Sequence, residues 1–128
     1  RFTATNELRE GCHDPDRFGI DPSKLSPEAL KGMASNRATL AVYAGTSLND
    51  AGLAERLAAV TTPTLVVWGD SDHIADADYG RAFADAIPGA RFQLMRDSGH
   101  LQQIETPGQL LDAVWAYPES QALMRPGM

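Results

Sequence analysis

Pro63-Thr64-Leu65-Val66-Val67-Trp68-Gly69-Asp70-Ser71-Asp72-His73-Ile74 is the stretch on which the fold turns. Leu65 to Trp68 is a continuous apolar run, rich in β-branched residues and bounded by Pro63 and Gly69. It does not alternate, so both faces of this strand are expected to be covered, as in a parallel sheet. After Gly69 the chain turns polar, and Asp76 is placed to cap a helix over 77–86 that Pro88-Gly89 closes. Phe92-Gln93-Leu94-Met95 reads as a second, less uniformly apolar strand, suited to a sheet margin. A last helix over 107–117 starts at Thr106-Pro107-Gly108-Gln109, where Thr106 and Gln109 have capping-box spacing. Leu110, Leu111, Val114 and Trp115 form its apolar face, and Pro118 is expected to end it. Strand, helix, strand, helix with so long a crossover is a right-handed βαβ unit, with parallel strands near 64–69 and 91–96.

Upstream the pattern loosens. Gly11 to Ser23 is rich in Gly, Asp and Pro and reads as a loop between short helical pieces. Ser26-Pro27-Glu28 is a helix start, with a capping hydroxyl, a proline suited to the first position and an acid at the positive helix end. Leu30, Met33, Ala34, Ala38 and Ala41 carry an apolar stripe along a helix over 27–44, and Gly45 stops it. A shorter helix is expected over 51–59, with Leu53 and Leu57 on one face. Two strands alone make a marginal sheet, so the fold reads as incomplete.

A length of 128 residues allows one ordinary domain. Apolar residues at 43% and charged residues at 22% sit near the globular norm, which sets disorder and collagen-like folds aside. Eleven Lys and Arg against 17 Asp and Glu leave a net charge of −6 and a pI near 4.9. That is opposite to the basic footprint of a nucleic-acid or anionic-membrane binder, so neither partner is expected. Cys12 stands alone and closes no intramolecular disulfide, which favours a reducing, cytoplasmic compartment. No apolar run approaches the roughly 20 residues of a membrane span, and no charged-then-apolar leader is present. The first residue is Arg1 rather than a methionine, and further chain upstream is expected.

In open α/β sheets, ligands bind outside the carboxyl ends of the strands. Two loops lie there: Gly69-Asp70-Ser71-Asp72-His73-Ile74 after the first strand and Asp97-Ser98-Gly99-His100-Leu101 after the second. Adjacent parallel strands would bring them side by side, although Asp72 and His100 are 28 residues apart. A carboxylate beside an imidazole orients the ring, fixes its tautomer and stabilises the imidazolium formed in proton transfer.

At these residues a family likeness becomes specific. The stretch from Pro63 to Ile74 resembles the penultimate strand and acid loop of α/β-hydrolase-fold enzymes. Ser98-Gly99-His100, followed by Glu105-Thr106-Pro107 and an apolar helix, resembles that family's catalytic-histidine loop and final helix. The likeness is close from about Ala59 to Tyr117. Ser26 to Gly45 is similar, more loosely, to the lid helices that precede the acid strand. The resemblance implies an α/β fold, the C-terminal portion of an α/β-hydrolase, with lid helices and loops over 1–58 and the strand-helix-strand-helix part of the core over 59–128. It implies Asp72 as the acid and His100 as the base of a nucleophile–His–acid triad, in the family's chain order. Asp70 is the rival acid, and the motif register favours Asp72.

The departure from the family pattern is the nucleophile. By the resemblance it belongs on a strand-to-helix turn of pattern G-x-S-x-G, well upstream. Gly45-Thr46-Ser47 has Asn49 where the closing glycine belongs, and Ser98 has Arg96 where the opening glycine belongs, so neither serine fits. The implied parent is a hydrolase of an ester or similar small molecule, acting through a covalent intermediate with the nucleophile outside this chain. A serine there implies ester, lactone or carbon–carbon bond hydrolysis, and an aspartate implies dehalogenation or epoxide opening. No cofactor is implied, because nucleophile, base and acid suffice.

Blander readings stand beside these. Asp-Ser-Asp favours turns, Asp76 reads as a helix cap, Asp78 as a first-turn charge and His73 as a rim residue. The acidic stretch 70–78 fails as an EF-hand, with Ile74 where an oxygen ligand belongs and Ala75 where the glycine belongs, so no metal is expected. Cys12-His13 imitates a thiol and base, but neighbours in sequence rarely face each other, and Cys12 reads as incidental. Met33, Tyr43 and Trp115 read as packing residues, while 34–48 could line a substrate pocket. A second reading of the whole chain is a non-catalytic remnant or interaction module that keeps the fold without the activity. Under either reading the outer edge of the 64–69 strand is expected to pair with the rest of the enzyme or with a second copy.

Overall fold

The computed structural model describes residues 9–45 and 50–123. Thr46, Ser47 and Asn49, weighed above as a nucleophile turn, lie outside the described residues, as does the rest of the 46–48 stretch read as pocket lining. In chain order the elements are α1 (Pro15–Phe18), a 3-10 turn (Pro22–Lys24), α2 (Pro27–Ala44), α3 (Leu53–Leu57), β1 (Leu65–Gly69), α4 (Ala77–Asp85), β2 (Arg91–Met95), α5 (Gln102–Glu105) and α6 (Pro107–Leu123). Helix starts follow local chemistry. Asp14, Asp21, Ser26 and Asp76 each cap a helix by accepting a first-turn backbone N–H, as read for Ser26 and Asp76.

The two strands are parallel neighbours, registered from Leu65 opposite Arg91 to Gly69 opposite Met95. α4 covers one face. Val66, Ala84 and Ile87 form the buried core there, with Leu57, Trp68, Phe83 and Phe92 packed against them. Gly80 lets α4 approach closely, since a Cβ at that position would lie 2.4 Å from the Trp68 ring. The Trp68 indole N–H donates to the Ala75 carbonyl at 2.8 Å, which pins the start of the crossover to β1. α6 lies on the opposite face, where Ala113 is buried and shares a small cavity with Leu65, Arg91 and Gln93. The expected α/β unit with helices on both faces is therefore present. Coverage is partial: Val66 and Gly69 are buried, while Leu65, Val67 and Trp68 are half-buried.

Several local expectations need correction. α3 is shorter than 51–59, with Gly52 at its start and no side chain capping it. α6 runs through Pro118 to Leu123 instead of stopping. Proline there removes one helix N–H and leaves the Val114 carbonyl without its bond. Val114 and Pro118 are both exposed, and the helix continues past the proline. The capping box at Thr106 and Gln109 is replaced by tertiary bonds. The Thr106 hydroxyl donates to Ser98 Oγ at 2.9 Å, and the Gln109 amide both accepts from Arg96 N–H and donates to its carbonyl.

The apolar face assigned to the last helix also splits. Ala113 is the buried residue, whereas Leu111, Val114 and Trp115 face outward. α2 has no buried residue, and Met33, Tyr43 and Trp115, read as packing, are exposed, Tyr43 to 87%. The stripes are as the sequence has them. Among the described residues nothing lies on top of them, and an apolar stripe is buried only by a partner surface.

Candidate active site

β1 and β2 end level, so the loops that follow leave the sheet together. The ladder continues past the strands: Asp70 N–H donates to the Met95 carbonyl and Ser71 N–H to the Ser98 carbonyl, both at 2.9 Å. Asp97 takes a left-handed conformation, φ 52°, to turn the second loop back. Aspartate tolerates that region better than most residues. The side-by-side placement expected of the two loops is what results.

Asp72 is 3% exposed, and both its oxygens are used. Oδ1 accepts the backbone N–H groups of Ile74 at 2.9 Å and Ala75 at 3.0 Å. Oδ2 lies 2.8 Å from His100 Nδ1. A carboxylate only accepts, so this pairing puts the ring proton on Nδ1 and leaves Nε2 with its lone pair. The imidazole is 43% exposed, while the carboxylate that orients it is buried. A reachable imidazole oriented by a buried carboxylate is a geometry suited to proton transfer.

Asp70 is turned elsewhere. Its Oδ1 accepts from the Ser71 hydroxyl at 2.9 Å and more weakly from Ser98 N–H. Burial works against its charge, but the Ser71 hydroxyl and the Ser98 and Asp97 backbone N–H groups outweigh it, so the carboxyl sits below its usual value. Ser98 is fully buried and bonded to Thr106. His73 is an exposed residue whose N–H donates to the Glu10 carbonyl. Among the described residues, no group of three or more His, Cys, Asp or Glu side chains gathers as a metal site.

The segment 10–14, most of it in the stretch from Gly11 read as an upstream loop, crosses both site loops. His100 N–H donates to the Gly11 carbonyl at 2.6 Å. His13 Nδ1 lies 2.8 Å from Ser71 Oγ. Burial, and after it the neighbouring Glu105 carboxylate, pushes the Cys12 thiol up, which disfavours the thiolate. Glu105 ties the segment to the histidine loop by accepting N–H bonds from His13, Asp14 and Gly99. Nothing in local spacing marks the bonds from Glu105 to His13 and Asp14, because they join residues about ninety positions apart. A separate open groove of about 470 Å³ runs between α3 and α4, lined by Leu53, Leu57, Tyr79 and Phe83, and includes neither Asp72 nor His100.

Known proteins resemble the chain in the same terms. The alpha/beta hydrolase fold family matches residues 13–107, most of the chain. The 3-oxoadipate enol-lactonase 1 of Acinetobacter baylyi is 25% identical over 105 residues, covering 82% of this chain and 39% of that protein. A 2-hydroxy-6-oxononadienedioate/2-hydroxy-6-oxononatrienedioate hydrolase of Klebsiella pneumoniae is 38% identical over 50 residues, 39% of this chain and 17% of the relative. The chain thus spans well under half the length of these curated relatives. Among solved structures, an N-acyl homoserine lactone degrading enzyme superposes with a TM-score of 0.60 at 23% identity, covering 88% of this chain and 45% of that one. A serine hydrolase involved in carbazole degradation gives 0.59 at 23% identity, with 81% and 42% covered. No helix among the described residues is long and apolar enough to cross a membrane. With parallel strands sandwiched by helices, an Asp–His pair at their carboxyl ends and a family match over most of its length, the chain belongs to the alpha/beta hydrolase fold family.

Proposed function

We propose that this chain supplies the acid, Asp72, and the base, His100, of a nucleophile–His–acid hydrolase acting on an ester, lactone or similar small molecule. The observation that carries the reading is the 2.8 Å bond between His100 Nδ1 and a buried Asp72 whose other oxygen is held by two backbone N–H groups. His100 Nε2 takes the proton of the nucleophile as it attacks the carbonyl, passes it to the leaving group, and then activates the water that releases the acyl group. Asp72 holds the ring in the productive tautomer and stabilises the imidazolium. The nucleophile comes from outside these 128 residues, since neither Ser47 nor Ser98 has the required flanking glycines. The hydrolase and lactonase names of the relatives favour a carbonyl substrate.

The test is turnover of a panel of small esters and lactones by the full-length gene product, with a serine-reactive phosphonate as label. Turnover lost in His100→Ala and Asp72→Asn supports the proposal. Turnover that survives both substitutions overturns it. Absence of turnover and of labelling in the full-length product favours the alternative, a domain that keeps the fold without the chemistry, whose support is the lack of a nucleophile turn in this sequence.

A further inference from the structure

We propose that Glu105 is a positioning residue for His100, a role that rests on the reading of His100 as the base. Glu105 ends α5, the single helical turn that follows the histidine loop. Its Oε2 accepts the backbone N–H of Gly99, immediately before His100, at 2.5 Å. Its Oε1 accepts the backbone N–H groups of His13 at 2.8 Å and Asp14 at 3.2 Å. One carboxylate therefore binds two chain segments. Between them runs a further bond, from His100 N–H to the Gly11 carbonyl at 2.6 Å. The backbone packing is tight: a Cβ on Gly99 would lie 2.2 Å from the Gly11 carbonyl oxygen and 2.6 Å from Glu105 Oε2.

These bonds decide where the His100 Cα sits, and the side chain can reach Asp72 only from there. Asp72 itself is anchored on the first loop by Ile74 and Ala75 N–H. The acid is thus fixed by its own turn, whereas the base is fixed through Glu105 by a segment from the other end of the chain. The three described bonds to the Glu105 oxygens all come from backbone N–H donors. Only an acceptor on both arms satisfies them, and a glutamine would turn an amide N–H against one of those donors. Glu105 never touches a reacting atom in this scheme. It preorganises the imidazole, and small misplacements of a catalytic group are expensive in rate.

The experiment compares Glu105→Gln and Glu105→Asp with the native residue in the full-length enzyme, by NMR and by kinetics. The readouts are the far-downfield proton of His100 Nδ1–H bonded to Asp72, the ring nitrogen shifts that report the tautomer, and kcat and KM taken separately. Expected for E105Q is loss of that proton signal, a mixed tautomer population and a fall in kcat of about 10- to 100-fold with KM within about twofold. E105D, which keeps two acceptor oxygens on a shorter stem, recovers part of both signals. A native His100 spectrum and native kcat in a folded E105Q overturn the proposal. Collapse of the whole folded spectrum in both variants overturns it too, since Glu105 then supports the fold rather than the base. A full-length enzyme without turnover, whose Asp72–His100 signal nevertheless depends on Glu105, sinks the hydrolase reading alone.

Discussion

Gly69 and Ser98 meet backbone to backbone: a Cβ built on Gly69 would lie 2.3 Å from the Ser98 carbonyl oxygen and 2.2 Å from that of Gly99. That Ser98 carbonyl is the acceptor for Ser71 N–H. The spacing between the loops carrying Asp72 and His100 therefore depends on the missing side chain at Gly69. Gly69→Ala must push them apart, because the obstructing atoms are backbone and cannot rotate away. Overpacking of this kind costs about 1–3 kcal/mol or more. The expected outcome is a lower urea midpoint together with loss of the Asp72–His100 proton signal, and an unchanged midpoint contradicts the packing described.

The site geometry predicts a ranking of substitutions in the full-length enzyme. His100→Ala should lower kcat by several orders of magnitude, and Asp72→Asn by up to about 10⁴-fold, because members of such a relay act as a unit. Asp70→Asn should change kcat less than about tenfold, since its carboxylate bonds Ser71 and Ser98 rather than His100. Steady-state kinetics on the three variants checks the order. An Asp70→Asn enzyme worse than Asp72→Asn exchanges the two roles.

Asp70 instead predicts an acid dependence of stability. Its folded-state value lies below that of an ordinary aspartate, so its charged form is favoured by folding. The stabilisation is fully present above the unfolded value and is lost as pH falls through the lower, folded one. In the full-length enzyme Asp70→Asn should therefore be less stable than the native protein at pH 5 to 7, roughly the range where free carboxylates are ionised. The difference should close as pH drops below 3.8. Urea midpoints of both proteins across that range measure it, and a gap that widens in acid reverses the sign.

Among the described residues β1 hydrogen-bonds to β2 alone, which leaves one edge of an apolar strand unpaired. Leu111, Val114 and Trp115 on α6 and the stripe of α2 are exposed as well. An open apolar edge is a template for another chain. The 128-residue chain studied alone is expected to associate or aggregate. Light scattering during size exclusion checks this, and a sharp 13.8 kDa peak with cooperative unfolding contradicts it.

Much of the fold was legible in single elements. The β-branched run at Leu65 to Trp68, the caps at Ser26 and Asp76 and the stop at Gly45 act within a few residues of themselves, so sequence order is enough to read them. Thr106, Gln109 and Pro118 misled for the opposite reason. Thr106 and Gln109 bond Ser98 and Arg96, which local spacing does not reveal, and the helix runs on through Pro118.

The same division holds at the site. Asp72 and His100 stand in the loops after two strands that the sequence identifies, and parallel pairing of neighbours brings such loops together; the juxtaposition of the loops followed from order and periodicity, and the choice of Asp72 over Asp70 from the family resemblance. Glu105 and the Gly11–Asp14 segment could not be found that way. The groups that Glu105 binds are backbone N–H donors, which nearly every residue carries and which leave no mark in the side-chain pattern. Only the folded chain, closing a loop of about ninety residues, selects which of those groups meet.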